Sequence, residues 1–375
     1  MTPPTLSSQQ LSLRKDGAAA AARSPLSSHH WPEHPSPFAS PSAAPRGRAA
    51  SGVLLTVLLV CCWYGSALVA VTTAKLSVGT LHAPLVLCAS QFVAATVLTT
   101  MVLAVRHEPR PPKESREARV VTRWLALWYM LGFVFTNAAL SLAGAPFVET
   151  VKAAEPISTV ALAAALLGER ESLGSYLSLL PVCAGVGMAS MGGDSFNTGA
   201  FVLSLLANIG FSARAVLAKR LRGVQAGGGG GGDDVRLFFA VSVQGAMMLL
   251  PAAVLIDGGT LLAAPTGFAW GAYVAHLALN GLAYSVYNLL SFMVLSRVNV
   301  ATHAVLNAVR RLLMIIFTSY YFGELRTTLN SVGVVVAVGG VCLYALAGNA
   351  ARGRAQAVLE RSTPAKNDEV MDRSV

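Results

Sequence analysis

Apolar residues run in blocks of about twenty through most of this chain, broken by short polar stretches and without alternation of period two. A helix needs about 20 residues to cross hydrocarbon. Ten such blocks are predicted, near 53–74, 83–105, 122–143, 146–168, 173–191, 198–218, 237–257, 267–295, 300–322 and 328–348. The eighth is long enough to tilt or to reach beyond the bilayer. The pattern predicts an all-α, multi-pass membrane protein and speaks against a β-barrel.

Composition agrees. The 375 residues are 54% hydrophobic and 12% charged, about half the charge of a soluble domain. The net charge of +10 is no sign of nucleic acid, because the basic residues gather at block ends and in loops. The loop "RHEPRPPKESREAR", the loop "KRLRGVQAGGGGGGDDVR" and the C-terminal residues Arg352, Arg354, Arg361, Lys366 and Arg373 fall on one side of the membrane. The connections "AGAP" and "GGDSFN" on the other side carry no basic residue. Both termini are therefore expected to face the cytoplasm or its equivalent.

Residues 1–50 are rich in Ser, Pro and Ala, hold five basic residues against Asp16 and Glu33, and contain no apolar core of a secretory signal. They read as an organellar transit peptide or a disordered tail. Residues 51–348 form the membrane domain and 349–375 a disordered basic tail. The glycines Gly227–Gly232 read as a flexible linker. The five cysteines lie inside apolar blocks without metal-type spacing, as small buried hydrophobes.

The chain also repeats itself. "GERESLGSYLSLLPVCAGVGMASM" begins at Gly168 and "GELRTTLNSVGVVVAVGGVCLYAL" at Gly323. Glu169 aligns with Glu324, and Gly185 with Gly340. Five blocks separate the copies, so the second half (198–348) is inverted relative to the first (53–191). Inverted repeats place a substrate site near the midplane between the halves.

Ionisable groups well within the blocks are few: Glu149, Lys152, Glu155, Arg214, His276, His303, Arg310 and Arg311. An arginine at a helix centre costs about 2.5–3.5 kcal/mol, so the adjacent pair costs roughly 5–7 kcal/mol unless it meets water or a partner. The repeat sets the fourth and ninth blocks in equivalent places, so Lys152, Arg310 and Arg311 are expected to face one central cavity. Guanidinium forks and an ammonium suit phosphate oxygens. The competing expectation is pairing of these cations with Glu149 and Glu155, Lys152 with Glu155 above all. Pro156 should kink the fourth block. Arg214 is expected to snorkel toward the basic interface, His276 to be a satisfied polar residue, and His303 to cap or pack. Tyr284, Tyr287 and Asn288 cluster in the eighth block as anchors or packing.

The stretches "ETVKAAEP", "SFNTGAFVLSLLANIGFSARAVLAKR", "YNLLSFMVLSRV", "RVNVATHAVLNAVRRLLMI" and "GFVFTN" together resemble the plastid phosphate translocators. Those belong to the triose-phosphate/nucleotide-sugar transporter family of the drug/metabolite transporter superfamily. The likeness spans about 53–348. It implies ten helices in two inverted halves of five, and strict exchange of inorganic phosphate for a small phosphorylated metabolite in the plastid envelope. It implies that Lys152, Arg310 and Arg311 hold the phosphate with help from Thr136, and that Tyr287 touches the organic part. Arg310 stands where the family usually has lysine. Phe133 and Glu149 stand where triose-phosphate members have histidines, the first beside the organic part. Glu149, Arg214 and His303 are further candidates.

The alternative within the family is an endomembrane nucleotide-sugar transporter. A membrane enzyme lacks support: the blocks show no paired acid and base beside a nucleophile, no HExxH and no glycine-rich phosphate loop. No cofactor or metal is implied.

Overall fold

The computed structural model describes residues 46–106, 115–168, 171–191, 196–227, 233–295, 297, 300–324 and 327–362. The transit peptide or tail expected before residue 46, the glycine linker after Gly227 and the C-terminal segment after 362 lie outside them. The chain divides into two units, 1–52 and 53–375. Of the first, residues 46–52 are described, and they are helical.

The described residues form helices and no strand. In chain order these are α1 (Arg46–Thr80), α2 (Pro84–Arg106), α3 (Arg116–Leu142), α4 (Ala145–Lys152), α5 (Glu155–Leu167) and α6 (Leu173–Met191). They continue with α7 (Thr198–Gly227), α8 (Asp234–Leu262), α9 (Trp270–Leu295), α10 (Val300–Tyr321) and α11 (Thr328–Ser362). Each predicted block falls on a helix, the fourth on the pair α4 and α5. Among the described residues, seven helical stretches are long and apolar enough to cross a membrane. Their outward faces carry exposed Leu, Val, Ile and Met, such as Leu255 and Leu262 of α8. Such surface suits lipid rather than water.

Local chemistry sets the boundaries. Ser115 and Asp233 cap α3 and α8 by accepting from Ala118 N and Val235 N. Gly168 and Gly323 end α5 and α10 at φ 67 and 66, the left-handed geometry that glycine takes at least cost. Three boundaries differ from the sequence expectation. The eighth block begins at Trp270 rather than 267, because Gly267 turns the chain at φ 87. Helix α1 already runs at Arg46, inside the expected tail. Helix α11 continues through 349–362, where a disordered tail is expected. That stretch, "NAARGRAQAVLERS", is rich in strong helix formers and propagates the helix beyond the apolar block.

Helices α6 and α11 make the closest pair. A Cβ on Gly185 of α6 would lie 2.2 Å from Ala337 N, and one on Gly340 of α11 would lie 2.7 Å from Val182 N. Backbone meets backbone there. Helices α3 and α7 also approach closely, Gly210 against the backbone of Gly132. Buried polar side chains join the remaining helices. Asn280 of α9 donates to Ala70 O of α1 at 2.6 Å and accepts from Gln91 of α2 at 2.9 Å; Asn137 of α3 donates to Gln91 at 3.1 Å. With no water in hydrocarbon to satisfy them, such groups are tied to one another.

Candidate functional site

Lys152 is the last residue of α4 and Glu155 the first of α5. The expected kink before Pro156 is a two-residue turn, Ala153 and Ala154, that separates α4 from α5. Proline has no N–H to give to Lys152 O, and its ring disfavours a continuous helix. Ala153 N and Ala154 N turn back to Thr150 O and Val151 O at 3.0 and 3.1 Å, tightening the last turn. Helix α7 satisfies carbonyls at the break: Asn208 Nδ2 donates to Val151 O at 3.1 Å and Ser212 Oγ to Glu155 O at 3.3 Å. The break thus sets Glu149, Lys152 and Glu155 at a junction facing α7 and α10.

Helix α10 brings the arginines there. Lys152 Nζ donates to Glu149 Oε1 at 3.2 Å. Arg311 Nη1 lies 3.6 Å from Glu149 Oε2, and its Nη2 donates to Glu155 Oε2. Lys152 and Glu149 are buried. The chain of ions therefore runs Lys152, Glu149, Arg311, Glu155. Carboxylates do reach these cations, as the competing expectation has it: of the two acids, Glu149 takes Lys152, and Arg311 takes Glu155 from across the helix interface.

Arg310 is placed differently. It donates to Asn307 Oδ1 at 3.4 Å and sits 5.7 Å from the ring centre of Trp63 and 6.0 Å from that of Tyr287. Among the described residues no carboxylate pairs with it. With all five groups ionised, three cations and two carboxylates leave the junction with one net positive charge. Aromatic faces partly compensate a cation by their quadrupoles.

Phe133 is buried in a cluster of rings. Its ring centre lies 4.8 Å from Tyr284, 5.0 Å from Tyr129 and 5.0 Å from Phe211, all near-perpendicular. Phe211 in turn lies 5.4 Å under Lys152 Nζ. An apolar wall therefore adjoins the charged junction. Tyr287 joins the two, touching Tyr284 at 5.8 Å on one side and Arg310 on the other. Thr136 is buried and donates its hydroxyl to Gly132 O at 2.8 Å, so its oxygen is left to accept rather than donate.

The other candidates scatter. Arg214 does not merely snorkel: its guanidinium lies 4.5 Å over the Tyr129 ring, in a pocket also lined by Leu125, Ala218, Arg222 and Phe238. The His303 side chain lies outside the described residues. His276 is not satisfied, since its Nδ1 has no hydrogen-bond partner among the described residues. Tyr284 and Asn288 are interior: Tyr284 OH donates to Tyr129 OH at 3.1 Å, and Tyr129 OH to Asn288 Oδ1 at 3.0 Å.

Sequence reasoning missed three polar anchors. Trp63 flanks Arg310. Lys75 of α1 donates to Leu140 O and Ala143 O at 2.8 Å each, capping the C-terminus of α3. Asp257 of α8 accepts from Leu85 N and Val86 N at 2.7 and 3.0 Å, capping α2 from another helix. The signal for Lys75 is an apolar block whose helix runs on past its predicted end.

The sequence profile of the Triose-phosphate Transporter family matches residues 54–345. The chain is 33% identical over 267 residues to phosphoenolpyruvate/phosphate translocator 3, chloroplastic, of Oryza sativa subsp. japonica; the match covers 70% of this chain and 66% of that one, just under two thirds of the rice protein. It is 32% identical over 271 residues to phosphoenolpyruvate/phosphate translocator 2, chloroplastic, of Arabidopsis thaliana, covering 70% and 69%. It is 28% identical over 363 residues to the triose phosphate/phosphate translocator, non-green plastid, chloroplastic, of Brassica oleracea var. botrytis, covering 92% and 88%.

Proposed function

The chain belongs to the triose-phosphate transporter family, and from that premise we propose that it is a carrier, not an enzyme, that exchanges inorganic phosphate for a small phosphorylated metabolite across a plastid envelope membrane. Triose phosphate, phosphoenolpyruvate or a sugar phosphate is the metabolite class. The observation that carries this reading is the junction itself: Lys152, Arg310 and Arg311 gather beside a broken helix, with an aromatic wall at one side. Guanidinium and ammonium groups hold the phosphate oxygens. Tyr287 and Phe133 face the organic part. Thr136 assists at the phosphate, its hydroxyl turning from Gly132 O to donate to a phosphoryl oxygen.

Alternating access is supported by signs of an inverted repeat. Gly185 packs on Ala337 and Gly340 on Val182; the two contacts are the same pair of repeat positions exchanged between halves. Reciprocal contacts of this kind are what a two-fold relation produces. Gly168 and Gly323, equivalent by the same offset, turn with nearly the same φ. Ten spans in two halves of five, about 53–191 and 198–348, rock around the junction.

Purified protein in phosphate-loaded vesicles provides the test. External triose phosphate, phosphoenolpyruvate, pentose phosphate or hexose phosphate should each be offered against internal labelled phosphate. At least one should accelerate label efflux. No acceleration by any of them, with uptake of a nucleotide sugar instead, would overturn the reading.

A further inference from the structure

Glu149 is an acid that a phosphate-binding junction does not need. It is 3% exposed, and it bridges two of the three cations assigned to the substrate, Lys152 at 3.2 Å and Arg311 at 3.6 Å. One oxygen takes a Lys152 N–H and the other stands 3.6 Å from Arg311 Nη1, so a carboxylate charge already sits among the cations that a phosphate would claim. The groups acting on its charge are Lys152 from its own helix and Arg310 and Arg311 from α10. Glu155 of α5 meets it through the shared Arg311. Among the described residues, the other helices against α4 bring no charge to that end. Helix α7 offers Asn208, bonded to Val151 O, and Phe211 under Lys152. Helix α3 packs Ala139 and Leu140 on Val148, and α6 packs Val182 and Val186 at the break. From α1, Lys75 is spent on Leu140 O and Ala143 O at the other end of α4. From α9, Tyr287 faces Arg310.

We propose that Glu149 is a resident counter-anion: it neutralises Lys152 and Arg311 in the empty carrier, yields them to the substrate's phosphate, and takes up a proton from water as it is displaced. This rests on the phosphate-site reading above. Two anions cannot share the same buried cations without strong repulsion. A displaced, buried carboxylate is costly unless it is neutralised. The proton balance is simple: one hydronium gives its proton to the Glu149 carboxylate, leaving the acid and water, while phosphate keeps both charges. Binding that takes up a proton strengthens as pH falls. One linked proton changes affinity by at most about tenfold per pH unit.

The experiment compares phosphate exchange by wild type and Glu149→Gln in vesicles, with inorganic phosphate on both sides, across about pH 6 to 8. Phosphate's own second ionisation lies in this range, and the ratio of the two KM values cancels it. The wild-type to variant KM ratio should climb steeply with pH, toward the limit of about tenfold per unit. A flat ratio overturns the proposal. Where Glu149→Gln fails to fold, calorimetry of phosphate binding to wild type in two buffers of different ionisation heat counts protons directly. About one proton taken up per phosphate, near pH 8 where phosphate is already dianionic, supports the proposal, and none overturns it. A wild type that neither exchanges nor binds phosphate at any pH sinks the phosphate-site reading itself, whereas exchange with a flat ratio sinks the role of Glu149 alone.

Discussion

Arg311 holds one carboxylate from each side of a helix break, Glu149 of α4 and Glu155 of α5. Its removal leaves Glu155 without its cation, while Glu149 keeps Lys152. Breaking a buried ion pair from one side costs about 3–5 kcal/mol, and the partial exposure of Glu155 sets this case at the lower end. Arg311→Gln should therefore lower the thermal midpoint in detergent and abolish exchange. Adding Glu155→Gln should restore much of the midpoint and none of the exchange; a double variant as unstable as the single one would contradict this. Phe133 presents a different residue-scale case. Its ring fills the space between Tyr129, Phe211 and Tyr284. Phe133→Ala should cost about 3–5 kcal/mol as a cavity, read as loss of the folded fraction on heating.

At the scale of the element, the break between α4 and α5 is written in one residue. Pro156 lies in the first turn of α5, where proline costs little; Pro156→Ala restores an N–H that can bond Lys152 O and lets α4 run on into α5. The variant should be at least as stable as wild type but slower in exchange, since Glu155 would swing about the new helix axis away from Arg311. Asp257→Ala strips the cap from Leu85 N and Val86 N. Leaving buried donors unpaired costs about 1–3 kcal/mol, visible as earlier unfolding. Much of this was legible beforehand. Apolar blocks gave the helices, Pro156 gave the break, and the costly arginine pair pointed to the junction. What was not legible is partner choice across helices. Spacing offers Lys152 both Glu149 and Glu155 at three residues' distance, and packing against α10 decides between them. Asp257 sits at the end of its block, where a charge reads as an interface residue, and its partners are backbone groups more than 170 residues away in the chain. The helix beyond residue 348 was missed because hydropathy marks where a membrane ends, not where a helix does.

For the whole molecule, the crossing of α6 and α11 is the tightest constraint. A side chain at Gly185 meets the backbone at Ala337, and one at Gly340 meets the backbone at Val182. Neither backbone can yield without moving its helix. Gly185→Val and Gly340→Val should thus cause similar losses of folded, detergent-stable protein, with Gly187→Val, which has open space around its Cβ, as the mild control. Unequal effects at the two glycines would weaken the two-fold relation between the halves. The crossing has a mechanical corollary as well. Ratchets between helices depend on protruding groups that click from one notch to the next, a full turn at a time. Val182 and Val186 of α6 and Val334 and Val338 of α11 are such groups, buried beside the glycines, so a slide along the crossing has to lift them out of register. The two helices are then expected to move as one lever, with any give in the fold falling at the turn between α4 and α5.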